Sequence, residues 1–477
     1  MYINGKWLET EQRLEVKNPA NGVVVDRVFL VGKEETKRAI EAAKNAFPLW
    51  SGLTGEQRGA YLHKVVELLE AKKEHFAQTI TKEMGKSIHN ARYEVGSTIA
   101  FFKWYAEEAR RVYGDIVPAS APNKRISVIK QPIGVVGAIT PWNFPLSMGA
   151  RKLGPALAVG CTVVFRPSRE APLSSLELFK VFDEAGLPKG VVNLVIGNSS
   201  DIVGELMASD TVRKISFTGS TEVGKKLIRQ SADTVKRVSM ELGGHAPFIV
   251  FEDADIDLAI QGTISSKFAS TGQQCVCANR IYVHDSIYDA FAQRFADKVA
   301  SMVVGDGLNE GTQVGPMVNQ EAVDKAHDHV TDAAGKGARV LCGGKVPTEN
   351  GYENGYFYLP TVLADVNEEM KITYEETFGP VAPLIRFSTE DEVIEKANHT
   401  EYGLASYFYT NDLSRAHRVS EKLDYGMVGV NDPAPFAVQA PFGGVKQSGL
   451  GREGGRYGLE DYLETKLVSV AIRSESR

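Results

Sequence analysis

The segment Thr271-Gly-Gln-Gln-Cys-Val-Cys277 sets a thiol directly after a glycine and two amides. Structural cysteines usually sit among apolar neighbours, and reactive ones in polar, accessible surroundings. Cys275 is therefore a candidate nucleophile. On spacing alone, Cys275 and Cys277 read equally well as two small thiols packed at strand spacing. Glu241 ends a predicted strand just before Leu242-Gly-Gly244. A carboxylate there is either a general base or a surface salt-bridge partner. Asn143 lies in Thr140-Pro-Trp-Asn-Phe-Pro145, a turn stiffened by two prolines and two aromatics. Its amide is either a rigidly held oxyanion donor or an ordinary turn asparagine. Thr218-Gly-Ser-Thr-Glu-Val-Gly-Lys-Lys226 places two glycines at a helix start, which is an anion-binding geometry or a bare helix start. It nearly matches the phosphate loop G-x-x-x-x-G-K-[ST]. However, Lys226 stands where a hydroxyl must hold magnesium, and the dinucleotide pattern G-x-G-x-x-G is absent.

These residues need elements to position them. Residues 34–113 are predicted helical, because Leu62, Val65, Val66 and Leu69 repeat at helical spacing with Glu and Lys opposite. Gly114–Pro122 breaks the pattern, and Arg125–Pro132 alternates as a short strand, an edge strand given Pro132. From Gly134 the rhythm is strand, turn, helix. Strands are predicted at Cys161–Phe165, Val191–Ile196, Lys214–Phe217 and Arg237–Leu242. Helices are predicted from a capping box at Ser174-x-x-Glu177 through Glu184, over Ile202–Met207 and over Glu222–Gln230. Such alternation implies a parallel sheet covered on both faces, with ligands at the carboxyl ends of its strands. After Gly243-Gly244, read as a hinge, a second series begins with the strand Phe248–Phe251 and a helix starting at Asp253. It continues through Ile281–Val283, Arg339–Leu341 and Val381–Phe387. The fold class is α/β.

A chain of 477 residues has room for two or three domains, and its 43% hydrophobic and 24% charged residues are ordinary for a globular protein. The net charge of −6 with scattered basic residues argues against a nucleic-acid partner. No stretch reaches the ~18 apolar residues of a membrane span, and Met1–Trp7 lacks the pattern of a secretion signal. Cys161, Cys275, Cys277 and Cys342 are too few for a disulfide framework, and the C-x-C has no second Cys/His pair, so no metal is expected. The expected setting is the cytoplasm with reduced thiols.

In order along the chain, Pro141-Trp-Asn-Phe-Pro145, Phe217-Thr-Gly-Ser220, Glu241-Leu-Gly-Gly244, Gly272-Gln-Gln-Cys275, Glu375-Glu-Thr-Phe-Gly-Pro380 and Pro441-Phe-Gly-Gly444 resemble the aldehyde dehydrogenase superfamily. The resemblance spans nearly the whole chain. Gln274-Cys-Val-Cys-Ala-Asn-Arg280 and Lys446-Gln-Ser-Gly-Leu-Gly-Arg-Glu-Gly454 are most similar to its succinate-semialdehyde dehydrogenase branch. This implies a Rossmann-like NAD(P)-binding domain (1–113 and 132–242), an α/β catalytic domain (243–445) and a small β oligomerisation element (114–131 and 446–477). It also implies that Cys275 attacks the aldehyde carbon, while the Asn143 amide and the Cys275 N–H hold the oxyanion. Hydride then passes to NAD(P)+, and Glu241 activates the water that hydrolyses the thioester. Lys152 and Glu453 match proton-relay positions. The presence of Glu241 implies hydrolysis rather than transfer to phosphate or coenzyme A.

Thr140, Trp142, Gly219, Ser220, Gly224, Glu376 and Phe378 match the family's cofactor positions, with Glu376 on the nicotinamide ribose. Phe165-Arg166-Pro167-Ser168-Arg169 departs from the usual pattern. The family commonly has lysine at Arg166 and, in NAD-preferring members, glutamate at Arg169. Two arginines remove the repulsion of a 2′-phosphate, so NADP is expected to be accepted as well as NAD, and a preference for NADP is the further expectation. In the semialdehyde branch two arginines and a serine hold the substrate's far carboxylate. Arg151 matches one arginine, Ala269 replaces the other, and the serine region reads Pro435-Phe436-Ala437. Ala269, Phe436 and Ala437 imply an apolar pocket and a broad range of aliphatic and aromatic aldehydes. A dedicated succinate-semialdehyde dehydrogenase is the alternative. Residues 125–131 and Lys466–Ile472 look like the family's oligomerisation strands, implying a homodimer or homotetramer. The same branch suggests a Cys275–Cys277 disulfide under oxidation.

Overall fold

The computed structural model describes residues 1–348 and 351–473. The stretch predicted helical forms four helices, Lys33–Gly52, Gly55–Ala71, Lys73–Met84 and Ile88–Glu108. Leu62, Val65 and Leu69 are fully buried along one face of the second. Among the described residues no helix is long and apolar enough to cross a membrane.

Two large sheets follow. In the first, Arg237–Glu241, Val212–Thr218, Val135–Ile139, Thr162–Arg166 and Val192–Leu194 run parallel. Antiparallel pieces, Gly449–Leu450 and the amino-terminal Tyr2–Ile3 and Lys6–Trp7, extend its two edges. The second runs from Arg339–Cys342 through Thr361–Ala364, Val381–Phe387, Ala278–His284, Ala246–Val250 and Ala405–Tyr409 to Met427–Val430, parallel except at its first strand. Both carry the near-continuous apolar runs of strands buried on two faces. Thr140–Asn143, Gly219 and Glu241 lie at carboxyl ends in the first sheet. Gly244, Cys275 and Glu376–Phe378 lie just before strands of the second. The two sets meet at a single seam.

Several local expectations need correction. Lys124–Pro132 is the central strand of a three-stranded sheet, not an edge, flanked by Asp115–Val117 and Leu463–Ala471. Pro132 is tolerated because it ends the ladder, and the next residue, Ile133, donates to the Tyr462 carbonyl at 3.0 Å. The helix expected from Asp253 begins at Ile256. Asp255 caps it, while Asp253 accepts hydrogen bonds from Thr410 and Asn411 and an ion pair from Arg415. The capping box at Ser174 does not form. The Leu173–Glu184 helix has no side-chain cap of its own, and the buried Glu83 carboxylate accepts the Leu173 and Ser174 N–H groups instead. The hinge expected at Gly243-Gly244 is a bonded crossing. Gly243 N–H donates to Thr221 and Gly244 N–H to Glu376, and a Cβ on Gly244 would lie 2.2 Å from the Cys275 carbonyl oxygen.

A second buried glutamate fixes the helix that matters most to the site. The Ser147–Val159 helix, which carries Arg151 and Lys152, also lacks a side-chain cap. Glu94 supplies one, accepting from Leu146 N–H at 2.9 Å and Ser147 N–H at 3.1 Å. Its other oxygen takes the Lys86 ammonium at 2.7 Å, and that ammonium lies 3.7 Å over the Phe144 ring. Lys86 and Glu94 are both wholly buried. Removing one partner leaves an uncompensated charge out of water. Glu94→Leu is therefore expected to lower the unfolding free energy by about 3–5 kcal/mol in urea titrations. A loss below about 1 kcal/mol would contradict this role for the pair.

Candidate active site

The nucleophile segment is held by an unusual backbone. Ser270, Thr271 and Gly272 take φ of 50°, 61° and 73°, three successive residues in the left-handed region. For a β-branched threonine this is costly and persists only when its surroundings enforce it. Here they do. Thr271 Oγ1 donates to Gly315 O, Gln274 Nε2 to Ser266 O, and Gln273 Oε1 accepts from Val318 N–H at 2.9 Å. The result is a turn, not a strand, at Cys275. Cys277 is fully buried with its thiol toward the Lys267 carbonyl, so the pair is not two thiols on one face of a strand. Both thiols are free. The packed-thiol reading thus describes Cys277, and Cys275 is a half-buried thiol.

Cys275 lies between two cavities and lines both. The first, about 290 Å³, is walled by Phe101, Phe144, Met148, Val276, Phe436 and Phe442, with Ala269 and Ala437 beside them. Arg151 is its one cation among the described residues. The guanidinium sits 4.2 Å from the Phe442 ring and 5.0 Å from the Phe101 ring, and its Nε and Nη1 have no hydrogen-bond partner. The second, about 400 Å³, is lined by Trp142, Asn143, Gly219, Ser220, Glu376 and Phe378, with Thr218 beside them. The helix Gln320–Gly335 adds Ala322 and Lys325. Asn143 Nδ2 donates one hydrogen to the Gln273 carbonyl at 3.0 Å, which orients the amide beside the nucleophile.

Glu241 lines neither cavity. It is buried, one of its oxygens lacks a partner, and burial followed by the Glu453 charge holds its carboxyl well above the usual range. Lys152 is buried and bonded to Glu453 at 2.6 Å, and it pulls Glu241 the other way. Lys152 and Glu453 thus act on the Glu241 carboxyl with opposite sign. Burial pushes the Cys275 thiol up to about 12, with the Glu376 and Glu241 carboxylates adding to the shift and Arg151 opposing it.

The second cavity suits a dinucleotide. Thr218 Oγ1 and Asn143 Oδ1 on its wall, and Thr140 Oγ1 and Arg166 Nε near its strand ends, are buried without partners. Gly219 and Ser220 open onto it at a helix start whose cap is the Ser220 hydroxyl, accepting from Val223 N–H. Gly224 does not line it. A Cβ there would lie 2.4 Å from the Leu242 side chain, so this glycine serves helix-to-strand packing. Lys225 and Lys226 are exposed on the helix, which removes the phosphate-loop reading. Arg166 bonds Ser199, Ser168 bonds Glu170, and Arg169 is exposed.

A model of the aldehyde dehydrogenase family matches residues 7–468. The chain belongs to that family. It is an NAD(P)+-dependent oxidoreductase that converts aldehydes to carboxylic acids. The dehydrogenase is 51% identical over 473 residues to a glutarate-semialdehyde dehydrogenase of Pseudomonas putida, covering 99% of this chain and 97% of that one. It is 49% identical to an NADP(+) succinate-semialdehyde dehydrogenase of Escherichia coli, covering 98% and 97%. The crystal structure of an E. coli NADP-dependent enzyme superposes with a TM-score of 0.97 at 48% identity, covering 99% of this chain and 98% of that one.

The motifs did not point to the Lys86–Glu94 pair, to Gln273 as the anchor of Asn143, or to the Gln320–Gly335 helix as a cavity wall. Only the amide doublet beside Cys275 carried a signal for any of these. A thiol raised to about 12 is neutral near pH 7. Without cofactor, alkylation of Cys275 by iodoacetamide should climb with pH beyond about pH 9, where an ordinary thiol levels off. Glu241→Gln removes a nearby negative charge and should move the curve to lower pH. A plateau near that of a free thiol in both proteins would contradict this electrostatic picture.

Proposed function

We propose that this dehydrogenase oxidises aldehydes with apolar aliphatic or aromatic bodies, using Cys275 as nucleophile and Glu241 as the base for hydrolysis. Cys275 at the boundary of an apolar cavity and a more polar one is the observation that carries the reading. The apolar cavity takes the aldehyde body and the polar one takes NAD(P)+, which accepts the hydride when bound. The free Nδ2 hydrogen of Asn143 and the Cys275 N–H hold the oxyanion. Burial and the Glu376 and Glu241 charges hold the Cys275 thiol neutral, and a cation bound in the cofactor cavity would offset those charges and favour the thiolate. Glu241 takes a proton from the hydrolytic water, and the Lys152–Glu453 pair passes it on. Residues 1–113 and 132–242 are assigned to cofactor binding, 243–445 to catalysis, and 114–131 with 446–477 to oligomerisation. Ile116 is 92% exposed and Leu467 65% exposed in the three-stranded sheet, which suits burial against a second copy in a homodimer or homotetramer. A cytoplasmic setting suits the free thiols.

Arg151 favours a second reading, an aldehyde ending in a carboxylate. It lines the aldehyde cavity, its Nε and Nη1 lack hydrogen-bond partners although Nη1 lies 3.9 Å from a Glu453 carboxylate oxygen, and relatives are named semialdehyde dehydrogenases. With Ala269 and Phe436 in place of polar partners, each lost hydrogen bond to such a carboxylate costs about 1–3 kcal/mol. Catalytic efficiency is therefore expected to be higher on hexanal and benzaldehyde than on succinate or glutarate semialdehyde. A strong preference for either semialdehyde, abolished by Arg151→Leu, would establish the second reading instead.

NADP+ is the cofactor we propose as preferred, because residue 169 is an exposed arginine rather than a carboxylate. Arg169→Glu should lower kcat/KM for NADP+ by about tenfold or more and spare NAD+. Unchanged efficiency with NADP+ would place this arginine in solvent without a role.

A further inference from the structure

His329 is a buried imidazole that the chemistry above does not use. It sits on the Gln320–Gly335 helix one turn beyond Lys325, which lines the cofactor cavity. Its Nδ1 lies 3.0 Å from Thr377 Oγ1 and its Nε2 3.3 Å from Glu375 Oε2. These two partners flank Glu376. An ionised carboxylate only accepts, so Nε2 carries the hydrogen and donates to Glu375. Nδ1 then accepts from the Thr377 hydroxyl, and a neutral ring satisfies both bonds. Burial, and then the Lys325 charge, lowers the imidazole's proton affinity, which is consistent with that neutral form.

The segment it grips needs holding. Phe378 takes φ of 54°, a left-handed conformation for a bulky residue, and its ring meets Trp142 edge-on at 5.7 Å across the cavity. Glu376 is tied on its far side by Gly244 N–H at 3.2 Å. The other side-chain anchors from this helix lie upstream of Glu376, where Asp332 accepts from the Lys371 N–H and Asp328 pairs with the Lys371 ammonium.

We propose that His329 is a positioning residue that fixes Glu376 and Phe378 against the nicotinamide half of the cofactor. The proposal rests on reading this cavity as the cofactor site. Three readouts test it: NADPH affinity by fluorescence, the single-turnover rate of NADPH formation with its isotope effect for an aldehyde deuterated at the carbonyl carbon, and cofactor-free alkylation of Cys275. His329→Phe keeps the volume but removes both bonds, and Thr377→Val removes one. Each should weaken NADPH binding and slow hydride transfer, by about tenfold for His329→Phe, with an enlarged isotope effect and near-normal alkylation. His329→Gln can accept from Thr377 and donate to Glu375, and should return both rates to within about twofold of the parent. A His329→Phe protein with parental NADPH affinity and isotope effect would overturn the proposal. So would a His329→Gln protein as impaired as His329→Phe, since packing would then be the cause. Glu376→Ala separates the two levels. If it impairs hydride transfer while His329→Phe does not, the cavity reading stands and the role of His329 falls. If Glu376→Ala changes nothing, the cavity reading fails and takes the proposal with it.

Discussion

Burial of titratable groups along the seam between the two sheets is the constraint on which the site depends. Cys275, Glu241 and Glu376 all titrate above their ordinary values, and burial is the largest cause for each. The same burial strengthens every charge acting on them, because the field of Glu453 on Glu241, or of Glu376 on Cys275, is poorly screened there. The buried seam therefore disfavours the ionised thiol and carboxyl until a cation or a substrate dipole arrives. It also demands pairing for permanent charges, and Lys152–Glu453 and Lys86–Glu94 supply it.

The fold makes that seam by opposing unlike strand ends. Carboxyl ends of the first sheet deliver Thr140–Asn143, Gly219 and Glu241, and the approaches to strands of the second deliver Gly244, Cys275 and Glu376. The Asn143 amide bonded to the Gln273 carbonyl crosses the seam, so the oxyanion donor and the nucleophile move together. Closeness elsewhere has the same purpose. Gly244 lets two backbones touch at Cys275, and a borrowed carboxylate from Glu94 fixes the start of the helix bearing Arg151 and Lys152.

Much of this was legible from residue type and spacing. Two series of alternating strands and helices gave the α/β class, and the family motifs brought Cys275, Asn143, Glu376 and Phe378 to one place. Local patterns failed where a distant group overrode them. Ser174-x-x-Glu177 has the form of a capping box, yet Glu83, some ninety residues upstream, takes the amides it would have used. Pro132 reads as an edge marker, but it ends a central strand because the carboxyl-terminal segment pairs along the other side. Cys275 and Cys277 read as a strand pair because nothing local announces three left-handed residues before them. Interactions between residues far apart in the chain, such as His329 with Thr377 or Lys86 with Phe144, leave no periodic trace at all.

The account's central claim is a covalent one, that carbon from the substrate passes through a thioester on Cys275. Acid quenching of the working dehydrogenase within its first turnover, followed by peptide mass mapping, observes that bond directly. The account predicts an acyl group of the substrate's mass on the peptide containing Cys275, with none on the peptide containing Cys161 or Cys342 and none in a Cys275→Ser protein. Acid product formed at the normal rate with no acyl group on Cys275 would contradict it.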